Sequence, residues 1–230
     1  MVFSSATFLF YFLPATLALY FLTPPRFRNA AALVASLAFF AWGAPRFVFV
    51  LIATCFVDYH ASRWLPAGRL PDKRRELLLG AVVALDLGLL LYFKYANFFV
   101  AQFQHALGWF GVPPAPWTAV VLPIGISFFT FQKISYLVDV YRGTAQVAHG
   151  AGRHLLYIAL YPQLIAGPIV RYHDVALQIE NRSETSGLFL DGMWRFCIGL
   201  AKKVLLANTF ARLADLVFDT PPSLMTSTQA

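Results

Sequence analysis

Long stretches of the chain are free of charged side chains and rich in apolar ones. No Asp, Glu, Lys or Arg occurs before Arg26, none between Tyr95 and Gln132, and none between Leu155 and Val170. A membrane-spanning helix needs about 20 mostly apolar residues, and a helix pairs its own backbone groups in lipid. The pattern predicts six membrane-embedded segments, at Phe3–Leu22, Asn29–Gly43, Arg46–Tyr59, Leu77–Phe99, Val120–Val138 and His154–Val170.

These segments predict an all-α fold, a polytopic transmembrane helical bundle that forms a single membrane domain over residues 1–230. The second and third segments are short for full spans, and Pro123, Gly125, Pro162 and Pro168 interrupt the fifth and sixth. Proline and glycine weaken helix interiors, and a broken helix in a bilayer borders protein or water. We therefore expect some segments to be short, kinked or re-entrant.

The last third of the chain has a different pattern of apolar and polar residues. Between Gly187 and Asp219 the apolar positions follow a helical period, and Asp191, Arg195 and Lys202 share one face. This pattern predicts a C-terminal amphipathic helix, or two, within an interfacial region over residues 171–219. Residues 220–230 show no structural signal and are expected to form an unstructured tail.

Composition excludes a water-soluble domain. The chain is 59% hydrophobic and 13% charged, whereas soluble domains carry about 25% charged residues. Basic side chains crowd the short loop between the third and fourth segments, and the positive-inside rule places that loop in the cytoplasm and the N-terminus outside. Because this topology accounts for the formal net charge of +7, we expect no nucleic-acid partner. The loop carries Arg63, Arg69, Lys73, Arg74 and Arg75.

Charged and polar side chains inside apolar segments are the first candidates for chemistry, because their burial costs free energy. Asp86 lies in the middle of the fourth segment, where a structural ion pair and a substrate role are both open. Lys133 lies late in the fifth segment and could snorkel to the inner interface. Arg171, at the end of the sixth, could pair with a carboxylate or a phosphate.

The polar residues of the fifth and sixth segments predict a polar passage through the bundle. Hydroxyl and amide groups at membrane depth join helices or line such a passage. We expect Ser127, Gln132, Gln163 and Arg171 to approach one another there. The full set of candidate lining residues is Ser127, Gln132, Lys133, Tyr136, Gln163 and Arg171.

No complete active site is visible in the histidines or cysteines. The five histidines fall in loops or at segment ends, and we expect each to be a surface or interface residue. Cys55 and Cys197 are isolated and are expected to act as small hydrophobic residues. The sequence therefore predicts neither a metal site nor a bound cofactor.

Several stretches resemble the membrane-bound O-acyltransferase family, and the start of the chain is similar to its alginate O-acetyltransferase branch. The matching stretches appear in the family's order, and the resemblance runs from Met1 to about Phe218. They are Val2–Phe10, Lys94–Phe99, Leu122–Gln132, Ile134–Arg142, Pro162–Tyr172 and Gly199–Asn208.

The resemblance implies a multi-pass protein of the bacterial inner membrane, and the distribution of basic residues places its N-terminus in the periplasm. The resemblance also implies transfer of acetyl groups, with acetyl-CoA as donor, to hydroxyls of an extracytoplasmic polysaccharide through periplasmic partner proteins. The polar passage would then hold the acyl donor. The family's catalytic histidine follows a Trp-His pair that is absent here, so it is expected beyond Ala230. The 230 residues resemble the N-terminal portion of a larger bundle, and alone they could be inactive.

Two other function classes stay open from the sequence. A non-catalytic membrane scaffold or passage for polysaccharide-export partners would need no histidine. A transporter would explain the broken segments and Asp86, but transporters often contain repeated halves, and the sequence shows no internal repeat.

Overall fold

The computed structural model describes residues 3–111, 113–164 and 167–219, and all regular structure within them is helical. The all-α prediction is confirmed. The predicted tail, residues 220–230, lies outside the described residues. The chain forms two compact units: Leu13–Asn181, here called the bundle unit, and the residues before 13 together with those after 181, here called the terminal unit.

The bundle unit is built from helices that follow one another with short connections. Short 3₁₀ turns at Pro25–Phe27 and Pro45–Phe47 precede the second and third helices. The helices are α1 (Leu13–Leu22), α2 (Arg28–Gly43), α3 (Val48–Ser62), α4 (Asp72–Gly108), α5 (Ile126–Arg142), α6 (Ala151–Ala159), α7 (Tyr161–Leu164) and α8 (Tyr172–Glu180).

Helix α4 is the one helix within the described residues that is long and apolar enough to cross a membrane. It has 37 residues, which corresponds to about 55 Å at 1.5 Å per residue. It starts before and ends beyond the predicted span Leu77–Phe99, because polar residues with good helix propensity flank that apolar stretch. The other predicted spans form shorter helices, and their membrane crossing stays a prediction.

The fifth and sixth segments differ from single spans. Helix α5 begins only at Ile126, since Gly125 takes a left-handed conformation with φ of 75° that favours glycine. Helix α6 ends at Ala159, and a separate turn, α7, starts at Tyr161. Pro162 explains this break, because its ring would clash with the carbonyl four residues earlier in a continuous helix.

The core of the bundle unit lies where α3, α5 and α6 meet, with α2, α4 and α8 around them. Leu51, Tyr136, Leu137, Tyr157 and Ile158 are each fully buried there. These helices therefore form a packed scaffold around the polar residues described below.

An irregular segment, residues 113–120, lies against the C-terminal part of α4. The Asn97 side chain accepts hydrogen bonds from the Val120 amide (2.8 Å) and the Trp117 indole (3.0 Å), and it donates to the Val120 carbonyl (2.8 Å). Gln104 donates to the Ala115 carbonyl at 2.7 Å. These bonds satisfy backbone groups that the proline-rich chain leaves without helical partners.

In the terminal unit, the predicted amphipathic stretch is one helical run. Helix α9 (Ser186–Ala201), a π-helical turn (Lys202–Ala207) and α10 (Asn208–Phe218) follow without a break, and none of their residues is buried. The Lys203 ammonium donates to the Ser4 hydroxyl at 2.6 Å, so the start of the chain pairs with this run. Its interfacial position stays a prediction.

Arg75 joins three parts of the bundle unit. Its guanidinium donates to the Leu65 carbonyl (2.8 Å), the Asp72 carboxylate (2.9 Å) and the Tyr141 carbonyl (3.0 Å). The same group stacks on the Tyr141 ring, 4.7 Å from its centroid. One buried cation therefore fixes the α3–α4 loop and the start of α4 against the end of α5.

We predict that Arg75→Ala lowers the free energy of unfolding by about 3 kcal/mol, because hydrogen bonds to a charged group contribute about 1.5–3 kcal/mol each. Thermal unfolding of the detergent-purified chain measures the change. The matched control is Arg74→Ala, since Arg74 is exposed next in sequence. Equal unfolding midpoints for the two variants would contradict the assignment.

Candidate functional site

Three charged side chains from three helices meet inside the bundle unit. The Lys133 ammonium on α5 lies 2.5 Å from Asp86 Oδ1 on α4 and 3.1 Å from Asp58 Oδ2 on α3. The exposed fractions of the three side chains are 1%, 1% and 0%. We call Asp58, Asp86 and Lys133 the carboxylate–lysine cluster.

The helical period of α3 explains how Asp58 enters this cluster. Thr54, Cys55, Asp58 and Ser62 are buried at spacings of three and four residues, which places them on one face of the helix. Asp58 was not predicted as a candidate from the sequence, because it stands at the end of an apolar run. The three- and four-residue polar spacing was the signal that could have identified it.

The cluster corrects the expectation for Lys133 and shows a partner for Asp86. Lys133 does not snorkel to an interface, since it is buried against two carboxylates. Because the ammonium is paired with aspartate side chains inside the bundle, it does not need to extend to the water interface. For Asp86, the structure shows the ion pair, one of the two roles that the sequence left open.

Two glutamines of the predicted passage meet at one backbone carbonyl. The Gln132 and Gln163 amides donate to the Tyr157 carbonyl at 3.1 and 2.5 Å. In a continuous helix this carbonyl would accept from the Tyr161 amide, but that amide donates instead to the Ser36 hydroxyl at 3.3 Å. The break after α6 therefore frees a buried carbonyl, and the glutamines satisfy it.

The Tyr136 hydroxyl links α5 to α3 and to the chain before α6. It accepts from the Ala148 amide at 3.1 Å and lies 3.1 Å from the Ser62 hydroxyl. The Ser62 proton is already donated to the Tyr59 carbonyl at 2.8 Å. In the contact between the two hydroxyls, Tyr136 must therefore be the donor.

Three buried tyrosines, Tyr136, Tyr157 and Tyr172, pack against one another. The Tyr172 ring meets the rings of Tyr136 and Tyr157 edge to face, at centroid distances of 5.1 Å each. Burial raises the pKa of Tyr172 to about 12, so its phenol is neutral at physiological pH. The Tyr157 hydroxyl donates to the Val170 carbonyl at 2.7 Å and so holds the end of the broken sixth segment.

His154 is not a surface residue, which corrects the sequence-based expectation. Its exposed fraction is 0%, its ring lies 4.5 Å from the Tyr136 ring, and neither ring nitrogen has a hydrogen-bond partner within the described residues. The residue stands near the start of α6, and the sequence could not show that α3 and α5 cover it. His149 and His173 are exposed, as expected.

The other two residues expected at the passage, Ser127 and Arg171, make no hydrogen bond to the glutamine pair within the described residues. Ser127 is half-buried in the first turn of α5, more than one helical turn before Gln132. Arg171 is 60% exposed, with its guanidinium 3.8 Å from the Asp139 carboxylate, which also faces His173 at 3.6 Å. The structure thus brings Gln132 and Gln163 together, and the passage itself stays a prediction.

The Tyr136 hydroxyl bonds predict a measurable loss of stability. Tyr136→Phe keeps the ring packing but leaves the buried Ala148 amide without its acceptor, which should cost about 1–3 kcal/mol. Tyr92→Phe is the control, because Tyr92 is 52% exposed. Unfolding midpoints in detergent compare the two, and an unchanged midpoint for Tyr136→Phe would refute the proposed hydrogen bonding.

Taken together, these residues define an all-helical protein that keeps charged and amide groups inside an apolar bundle. No protein-family model and no solved structure matches the chain. It is, however, 43% identical over 220 residues to a Pseudomonas aeruginosa protein named "Probable alginate O-acetylase AlgI", and the match covers 95% of this chain and 42% of that protein.

Two further relatives extend the comparison. A protein of the same name from Azotobacter vinelandii is 42% identical over 95% of this chain and 44% of its own length. The peptidoglycan O-acetyltransferase of Helicobacter pylori is 29% identical over 97% of this chain and 48% of its own length. The resemblance to the alginate O-acetylase branch of the membrane-bound O-acyltransferases is therefore confirmed. The chain spans less than half the length of these relatives.

Proposed function

We propose that this chain forms part of a membrane-bound O-acyltransferase that transfers acetyl groups to hydroxyls of an extracytoplasmic, alginate-like polysaccharide. The observation that carries the proposal is the 43% identity to alginate O-acetylases over 95% of the chain. The match to a peptidoglycan O-acetyltransferase supports the same reaction class, acetyl transfer to a carbohydrate hydroxyl.

Acetyl-CoA is the proposed donor. In this reaction the acceptor oxygen forms a new C–O bond with the acetyl carbonyl carbon, the thioester C–S bond breaks, and the hydroxyl proton leaves with the thiol. A histidine is the usual base for such a step, and we expect the catalytic one beyond Ala230. Periplasmic partner proteins are proposed to hand the acetyl group to the polymer.

Within the described residues, the Gln132–Gln163 pair is our proposed support for the donor passage. Both amides hold the carbonyl at the end of α6, so they set the path of the broken segment that leads to Arg171. The guanidinium of Arg171 is 60% exposed and could therefore also reach a donor phosphate.

We further propose a multi-pass inner-membrane location with a periplasmic N-terminus. One described helix is long and apolar enough to span, and the basic residues of the α3–α4 loop favour the cytoplasm. Reporter fusions test the orientation: a cytoplasm-active reporter after Arg69 and a periplasm-active reporter after Pro116 should both give signal. The reverse pattern would refute it.

A chimeric enzyme tests the proposed activity directly. The aligned 220-residue region of the Pseudomonas aeruginosa relative is replaced by this chain, and the gene is expressed in an alginate producer that lacks its own O-acetylase. We expect O-acetyl esters to return to the secreted alginate, as measured by alkaline release of acetate. A chimera that is abundant in the membrane but restores no acetylation would contradict the proposal.

The same assay tests the glutamine pair. We predict that Gln132→Leu with Gln163→Leu lowers acetylation about tenfold at equal membrane abundance, because a buried carbonyl left unpaired costs about 1–3 kcal/mol. Gln102→Leu is the control, since Gln102 is exposed on α4. Equal acetylation by both chimeras would exclude a role for the pair.

A further inference from the structure

The carboxylate–lysine cluster contains one more negative than positive group. If Asp58 and Asp86 were both ionised beside the Lys133 ammonium, the cluster would carry a formal charge of −1. None of the three side chains is more than 1% exposed. An uncompensated buried charge costs several kcal/mol, and buried groups commonly neutralise instead.

Hydrogen bonding points to the same imbalance. Asp86 Oδ1 accepts a hydrogen bond from Lys133 at 2.5 Å, whereas Asp86 Oδ2 and both Asp58 oxygens are buried without a hydrogen-bond donor within the described residues. A carboxylate is an acceptor only, but a carboxylic acid also carries a donor. The unpaired oxygens therefore favour the acid form of one of the two groups.

Within the described residues, the helices packed against α3 place no cation other than Lys133 against the two aspartates. Helix α5 contributes Lys133 and Tyr136, α4 contributes Asp86, and α6 contributes His154. An imidazolium at His154 would face the Lys133 ammonium and would have no acceptor. On α2 the only titratable residue is Arg28, in its first turn.

The remaining titratable groups near Asp58 are equally unsuited to balance the charge. On α3 itself, Cys55 is a buried thiol, Tyr59 is a phenol and His60 is exposed. Arg75, at the start of α4, is already held by the Asp72 carboxylate and two carbonyls. The described residues around Asp58 therefore leave one negative charge of the cluster unbalanced if both aspartates are ionised.

We propose that the carboxylate–lysine cluster is a proton-binding site that holds one proton at neutral pH, on the carboxyl group of Asp58. Asp86 is the ionised partner, because its oxygen takes the short hydrogen bond from the ammonium. Asp58 lies farther from Lys133, with Oδ2 at 3.1 Å from the ammonium, and its Oδ1 has no hydrogen-bond partner within the described residues. The occupied cluster is electrically neutral.

Infrared spectroscopy of the detergent-purified chain tests the site. A protonated carboxyl group gives a C=O stretching band separate from carboxylate bands, and carbon-13 in the aspartate side-chain carboxyl shifts it. We expect such an aspartic-acid band at pH 7 in the wild-type chain. Its absence there overturns the proposal, whatever the variants do.

Two substitutions test whether the proton belongs to the cluster. Asp58→Asn should abolish the band because it removes the acid. Asp86→Asn should abolish it as well, because Asp58 must then ionise to pair with Lys133. Asp174→Asn is the control and should leave the band unchanged, since Asp174 is 58% exposed. A band that survives both cluster substitutions belongs to another residue and overturns the assignment.

Lys133→Met provides an independent check. Without the ammonium, both buried carboxylates lose their counter-charge and should protonate, so the band area should rise about twofold. An unchanged band in a correctly folded Lys133→Met chain contradicts the proposal.

Discussion

The Lys133 ammonium is the interaction on which the bundle unit most depends. It contacts aspartate side chains on α3 and α4 from its own position on α5, so one side chain holds three helices together. Breaking such a buried pair by removing one partner typically costs about 3–5 kcal/mol, because a charge is then left unpaired. Apolar packing alone is less directional, and it would tolerate more rotations of α5.

The direction in which the Lys133 side chain points also fixes the direction of the Gln132 side chain. Successive residues on a helix point about 100° apart, so anchoring Lys133 towards α3 and α4 turns Gln132 towards α6. There Gln132 meets Gln163 at the carbonyl left free by the break before Pro162. The Lys133 contacts and the two glutamine hydrogen bonds therefore both depend on the orientation of α5. A rotation of α5 that disrupts one set of contacts would strain the other.

Several features could be predicted from the sequence because they depend on local composition. The charge-free stretches predicted helices, Pro123 and Pro162 predicted interrupted segments, and Asp86 stood out as a charge within an apolar run. Other features depend on which helix covers which. Asp58 stood at the end of its segment and His154 at the start of another, and only the packing of α3, α5 and α6 shows that both are buried. The partner of Lys133 was undetermined for the same reason, since it lies 47 residues away on α4.

The central claim is that Lys133 and Asp86 stabilise the bundle as a pair, and a double-mutant cycle tests it most directly. Free energies of unfolding in mixed micelles are measured for Asp86→Asn, Lys133→Met and the double variant. We predict a coupling energy of at least about 1 kcal/mol, because contacting charged residues do not act additively. Additive effects of the two substitutions would show that the helices are positioned by other contacts.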